Sequence, residues 1–319
     1  LSPLIDNLTT ALVMCAVVLA VGRDSPKFVA LSCINIVVAA NAGGAFSPFG
    51  DITTLMVWQS GKVEFWAFFA LFLPSLVNWL VPAACMHFAV PEGAPDAAID
   101  DARPKRGAGV IVALFAVTIA LAVCFHQFLH LPPFMGMMAG LALLKLFGWW
   151  LSRTARRQEA EDFDRQGAPG DVDAFDTYEQ VARAEWDTLL FFFGVIMCVG
   201  ALGYCGYLAL GSEYFYGDLG PSKANIIIGL MSAILDNIPM MVAVLQMNPE
   251  MSTGQWLLVT LTAGVGGSLL SIGSAAGVAL MGQARGRYTF FGHLKWTWAI
   301  ALGYAASVAV HFAVNARYF

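Results

Sequence analysis

Long apolar runs separated by short polar turns make up most of this chain, and several runs are interrupted where an unbroken spanning helix would carry leucine and valine. Ile5 to Val21 is apolar after its start, Asp6-Asn7-Leu8-Thr9-Thr10, and falls short of the roughly 20 residues of a full span, so it predicts one half of a re-entrant hairpin. Phe28 to Trp58 is broken at NAGGAFSPFGDITT, Asn41 to Thr54, where two adjacent glycines, a proline and a third glycine predict a helix that stops and restarts. Further spans are predicted over Lys62 to Val90, Ala108 to Phe128, Phe134 to Leu151 and Thr188 to Leu210. Lys223 to Gln246 divides at Asp236-Asn237-Ile238-Pro239 into two half-length helices meeting at a polar tip. Gly254 to Gln283 is broken again by glycines between Gly264 and Gly277, and His293 to Val314 closes the series.

Pro91 to Gly107 reads as a polar loop, and Ser152 to Asp187, the longest polar stretch, as a solvent loop with a surface helix near Asp176 to Trp186. The chain is thereby divided into a first repeat over 1–151 (hairpin second half, broken helix, following spans), a cytoplasmic loop over 152–187 and a second repeat over 188–319. Composition changes this picture only by confirming the solvent: 58% of residues are apolar, 12% are charged and the mean hydropathy is +0.68. That predicts an all-α polytopic membrane protein with room for about eight to ten membrane segments. Cys15, Cys33, Cys85, Cys124, Cys198 and Cys205 all fall inside apolar runs, which argues against a disulfide or metal framework. No basic stripe points to nucleic acid and nothing calls for a cofactor. The chain opens at Leu1 with neither methionine nor signal peptide, and an N-terminal truncation is expected.

An internal repeat organises these segments. Leu4-Ile5-Asp6-Asn7-Leu8-Thr9 followed by Gly43 to Asp51 matches Ile234-Leu235-Asp236-Asn237-Ile238-Pro239 followed by Gly266 to Ser274: an Asp-Asn tip, then a glycine-broken helix, in the same order. Threading the segments places Arg23, Lys27, Arg103, Lys105, Arg106, Arg153, Arg156, Arg157, Arg165, Arg183, Arg285 and Arg287 on one side, against Lys62, Lys223 and Arg317 on the other. By the positive-inside rule the first side is cytoplasmic, the C-terminus lies outside, and the two tips enter from opposite faces. Inverted-topology repeats with two re-entrant hairpins and two unwound transmembrane helices are the expected architecture, that of a secondary transporter with its site at the repeat interface.

Asp6, Asp51 and Asp236 are the acidic residues that lie deep within the predicted membrane segments, and the same depth holds no lysine or arginine. An unpaired carboxylate there either takes a proton or binds a cation, and competition between those two ligands is antiport chemistry. Sodium prefers oxygen ligands, and Asp51, Thr53, Thr54, Asn7, Asp236 and Asn237 are the candidate Na+ ligands, with Asn41, Ser47 and the carbonyls of the first break beside them. The second repeat offers Ser268, Ser271 and Ser274. The competing structural reading makes Asp6 and Asp236 helix N-caps and the three serines small packing residues. His126 and His130, four apart at the end of a span, read as interfacial rather than metal-ligating.

The Asp6-Asn7-Leu8-Thr9-Thr10 tip, the Asn41 to Thr54 break, Ser232 with Asp236-Asn237-Ile238-Pro239, and Gly266 to Gly277 together resemble the NhaD-type sodium/proton antiporters. These belong to the ion transporter superfamily that also includes arsenite and dicarboxylate carriers. The resemblance implies exchange of Na+ or Li+ for H+ across the inner membrane of a bacterium, and a homodimer; it brings Thr10 and Ser232 into the candidate site. Two alternatives remain at this point. An anion carrier of the same architecture would take dicarboxylate or arsenite, although midplane aspartates repel anions. An intramembrane aspartyl protease would use two buried aspartates as acid and base, with Phe49-Gly50-Asp51 as its motif, but leaves the repeat unexplained. In the antiporter reading Asp51 and Asp236 alternate between protonated and Na+-bound forms. Asp51 aligns with Ser274, so the first repeat carries the extra charge.

Overall fold

The computed structural model describes residues 1–22, 25–91, 107–166 and 186–319. Among the described residues the regular structure is helical throughout. Helices α1 (Ser2–Ile5) and α2 (Asn7–Val21) flank Asp6, and α3 (Pro26–Ala45) and α4 (Ile52–Gln59) flank the first break. A 3-10 turn, Phe65–Leu71, leads into α5 (Phe72–His87). Next come α6 (Ala108–Leu129), α7 (Pro133–Gln166), α8 (Trp186–Tyr204) and α9 (Tyr207–Ser212), the last continuing into a π-helical turn, Glu213–Asp218. Helices α10 (Pro221–Met231) and α11 (Asn237–Met247) flank the second tip, α12 (Thr253–Gly266) and α13 (Ala275–Gln283) the second break, and α14 (Phe290–Leu294) and α15 (Thr297–Val314) end the fold.

Among the described residues five helical segments are long and apolar enough to cross a membrane, Pro26–Ala45, Phe65–His87, Ala108–Leu129, Pro133–Leu151 and Thr297–Val314, and the bent pair Leu189–Tyr204 with Tyr207–Asp218 makes a sixth if counted as one span. The chain is a multi-pass membrane protein. The helices that follow the two Asp-Asn tips, α2 and α11, do not reach span length, because each apolar run is divided at its tip. Two boundaries differ from the sequence expectation. The fifth span does not end at Leu151: α7 continues to Gln166, because the polar stretch after the membrane segment is rich in Ala, Arg, Gln and Glu, which hold a helix without apolar packing. The span expected to run straight to Leu210 turns by 83° at Cys205-Gly206. Most of the loop over 91–107 and of the surface helix near 176–186 lies outside the described residues, as do Arg23, Arg103, Lys105, Arg106 and Arg183.

The chain forms two compact units, Leu1–Ala97 with Leu190–Phe319, and Ala98–Leu189. In the second, α6 packs on α7, and Gly140 faces Thr118 closely enough that a larger residue would meet its side chain. The first holds both tips and both breaks. Its core is α12, buried over Gly254 and Trp256–Gly266, crossed by α3, itself buried along Val37, Val38, Ala40, Asn41 and Ala42. Each tip helix packs on the helix that follows the other break: α2 on α13, and α11 on α4. Helix α5 packs on α15, where Gly303 lies against the Asn78 carbonyl, a group freed by Pro82 four residues later.

Candidate functional site

Each break is shaped by glycine. The first closes a six-residue excursion, Phe46–Asp51, in which Gly44 and Gly50 touch: a Cβ on Gly44 would stand 2.6 Å from the Gly50 carbonyl oxygen. The second repeats the arrangement, with a Cβ on Gly267 falling 2.5 Å from the Gly273 carbonyl oxygen. Only glycine permits that approach. Each break ends in an extended residue that caps the next helix. Asp51 (φ −152°, ψ 153°) accepts the Thr53 amide at 3.3 Å, and Thr54 completes a capping box; Ser274 (φ −146°, ψ 145°) accepts the Gly277 amide at 3.3 Å. The sequence alignment of Asp51 with Ser274 therefore pairs two residues with the same backbone conformation and the same capping role.

Asp51 is 4% exposed and is the point on which both tips converge. Asn7 opens α2 and donates from Nδ2 to Asp51 Oδ2 at 3.0 Å; Asn237 opens α11 and donates to the same oxygen at 2.8 Å. The Asn7 amide also reaches Asn41 Oδ1 at 3.1 Å, and Asn41 in turn donates to Ser268 Oγ at 2.9 Å. Asn7, Asn41, Asp51, Asn237 and Ser268 thus form one buried network that joins the first tip, the first break, the second tip and the second break. No described lysine or arginine is buried, so the carboxylate faces amides and hydroxyls instead of a fixed cation. Asp6 and Asp236 lie within Coulombic reach of it.

The remaining predicted residues divide. Asp6, half-buried and at φ 86°, caps α2 by accepting the Thr9 amide at 3.4 Å. Asp236 precedes α11 in the same position but makes no cap bond, and its buried Oδ1 has no protein partner. The Thr53 hydroxyl, fully buried beside Asp51, is likewise without a partner, whereas Thr54 Oγ1 is spent on the Asp51 backbone. Ser47 accepts the Phe49 amide within the break, Ser232 ties the end of α10 to the Ala263 carbonyl at 2.7 Å, and Ser271 contacts the Met281 sulfur at 3.6 Å. These three are buried but stand outside the Asp51 network. Thr10, whose buried hydroxyl has no protein partner, lines a cavity of about 500 Å³ together with Met14, Gly43, Phe46, Ser75 and Trp79. His293 lies outside the residues that the sequence marks as candidates for the site. It touches the network through Ser268, and the only signals for it were a histidine in an apolar context and a tyrosine five residues earlier.

The arrangement can bind a small cation by its chemistry. A buried carboxylate with uncommitted oxygens at Thr53 and Asp236 is an oxygen-rich seat for a hard monovalent ion, and the amides on Oδ2 can exchange N–H for C=O by rotating about χ2. Among the described residues no group of three or more His, Cys, Asp or Glu is placed to hold a metal ion. The model of the citrate transporter family matches residues 1–264. The chain is 58% identical over 328 residues to the Na+/H+ antiporter NhaD of Alkalimonas amylolytica, covering 100% of this chain and 68% of that protein. It is 61% identical over 314 residues to the Na+/H+ antiporter NhaD of Vibrio parahaemolyticus, covering 96% of this chain and 76% of that one. A plant relative, sodium/proton antiporter 1 of Arabidopsis thaliana, is 33% identical over 332 residues, which is 54% of its length.

Proposed function

This chain belongs to the citrate transporter family and, within its reach, to the NhaD-type sodium/proton antiporters, and from that premise we propose that Asp51 is the carboxylate at which Na+ or Li+ and H+ compete. The protein is a transporter, not an enzyme, and exchanges Na+ for H+. The single observation that carries the proposal is the convergence of Asn7 and Asn237, one from each tip, on one oxygen of a buried carboxylate with no buried lysine or arginine in the described chain. A proton on Oδ2 displaces those two donors, and a cation requires their amides to turn and offer oxygen. Either event is transmitted at once to both tips. Asp236, with a buried oxygen free of protein partners, is the second exchangeable carboxylate; Thr53 supplies a hydroxyl, and Asp6 shapes the field.

Several observations support inverted repeats with re-entrant hairpins: the paired Asp-Asn tips, the matched glycine contacts, the matched caps at Asp51 and Ser274, and the reciprocal packing of α2 on α13 and α11 on α4. Alternating access then moves the tips against the breaks while Asp51 stays at their junction. The reading places the protein in a bacterial inner membrane with the 152–187 loop cytoplasmic and the C-terminus outside, as a homodimer. The family's description names citrate, yet a trianion entering here would meet Asp6, Asp51 and Asp236 with no buried lysine or arginine among the described residues, and the cation is the better cargo. Reconstituted vesicles test this. Na+ or Li+ should drive proton release through the wild-type protein and not through Asp51→Asn, while citrate and arsenite uptake stay at background; Na+-dependent proton release surviving in both Asp51→Asn and Asp236→Asn contradicts the carboxylate mechanism.

A further inference from the structure

Helix α12, the most buried element of the fold, is held at both ends by imidazoles. At its start His311 Nε2 meets the Gly254 carbonyl at 3.0 Å, and at its end His293 Nε2 meets the Ser268 carbonyl at 2.8 Å. A carbonyl only accepts, so each ring carries its proton on Nε2 and is left with an acceptor at Nδ1. That acceptor is filled in both cases: Asn315 Nδ2 lies 3.0 Å from His311 Nδ1, and the Tyr288 hydroxyl lies 2.8 Å from His293 Nδ1. Both rings are fully buried, and each is locked in one tautomer and one orientation.

The two anchors differ in what lies beyond them. At the Gly254 end the bonds run on to Asn315 and the Ala70 carbonyl, and to Gln255 with Asn225 and Ser222, none of which belongs to the Asp51 network. Ser268 is different, because the residue whose carbonyl His293 holds presents its hydroxyl to Asn41, and Asn41 receives Asn7, the amide on Asp51. Ser268 sits where α12 has already stopped, so its carbonyl has no helical partner; His293 and Thr297, which donates to the Leu269 carbonyl at 2.9 Å, take over the carbonyls that the break releases. We propose that His293 is a positioning residue for cation binding: by fixing the Ser268 carbonyl it aims the Ser268 hydroxyl at Asn41, and through Asn41 it sets the Asn7 amide on Asp51. This rests on the reading of Asp51 as the ion-binding carboxylate. Without the imidazole the break is free to turn about Ser268, Asn41 loses its acceptor, and the Asn7 amide is held by Asp51 alone.

The test compares apparent K for Na+, maximal rate and thermal stability in the reconstituted full-length protein. His293→Ala is expected to raise the apparent K by about tenfold, the worth of one well-placed hydrogen bond, with the maximal rate changed less. Ser268→Ala should do the same, and the double variant should be no worse than the more severe single one, because both cut one path. His293→Gln, whose amide can reach the carbonyl, should recover most of the affinity. His311→Ala is the structural control: a lower melting temperature with an unchanged K. Should His293→Ala fail to accumulate in the membrane, Tyr288→Phe removes the donor to Nδ1, together with the hydroxyl's interaction with Ser271, and should raise K about threefold. A wild-type K in His293→Ala, or in Tyr288→Phe where His293→Ala does not accumulate, overturns the proposal, as does additivity of His293→Ala with Ser268→Ala. Retention of Na+ binding by Asp51→Asn instead removes the carboxylate reading, and the two failures are separable.

Discussion

At the scale of single residues the proposed exchange turns on a carboxylate oxygen shared by two amides. Asn7 and Asn237 both donate to Asp51 Oδ2, and hydrogen bonds to a charged group are each worth about 1.5–3 kcal/mol. In the proposed Na+-bound form the two amides turn their oxygens to the cation, so Asn7→Ala and Asn237→Ala each remove a ligand oxygen and should raise the apparent K for Na+ by roughly 10- to 100-fold. Titrating transport against Na+ measures this, and an unchanged K in both variants excludes the amides from the site. Thr53 gives a sharper distinction. Its buried hydroxyl has no protein partner, so Thr53→Val removes no protein hydrogen bond and should leave the melting temperature within a degree or so of wild type. If the hydroxyl is a cation ligand, the same substitution weakens Na+ binding; if Thr53 is structural only, the affinity stays and the assignment falls. If Na+ and H+ claim one carboxylate, as proposed, lowering the pH should raise the apparent K for Na+ without lowering the rate at saturating Na+.

The elements were legible where a residue type has only one structural use. Two glycines six apart in each break, and an Asp-Asn pair at each tip, announced helix interruptions because glycine contact and capping are local demands. The Asp51 to Ser274 match was readable for the same reason and reappears as two caps of the same geometry. What could not be read was the partner of each polar group. Nothing in the sequence says that Asn41 reaches Ser268 across 227 positions, that Asp6 caps its helix while Asp236 does not, or that Thr10 lines a cavity. The turn at Cys205-Gly206 was hidden because apolar residues continue on both sides of it, and periodicity does not register a bend. Gly44→Ala and Gly267→Ala should each destabilise by about 1–3 kcal/mol, since a methyl at either position drives into a carbonyl that cannot withdraw without opening the break. Gly282→Ala, where a Cβ meets nothing within 4 Å, is the comparison that should be neutral or stabilising. Equal melting temperatures for all three would remove the close-contact explanation of the breaks.

For the whole molecule, the account joins two halves through one residue. The tips carry Asn7 and Asn237, the breaks carry Asn41, Asp51 and Ser268, and the reciprocal packing of α2 on α13 and α11 on α4 means that a shift of one tip strains the post-break helix of the other half. Opposite entry of the tips is what the charge pattern predicts, and labelling single cysteines from either face of sealed vesicles checks it: a cysteine at Gly286 should react from the cytoplasmic face and one at Gly61 from outside. Reaction of both from one face contradicts the inverted arrangement. The most direct test of the central claim is proton release on cation binding. Na+ added to the purified full-length protein in weakly buffered solution should release protons in proportion to the Na+ bound, and Asp51→Asn should abolish binding and release together. Na+ binding by Asp51→Asn with wild-type proton release would contradict the account.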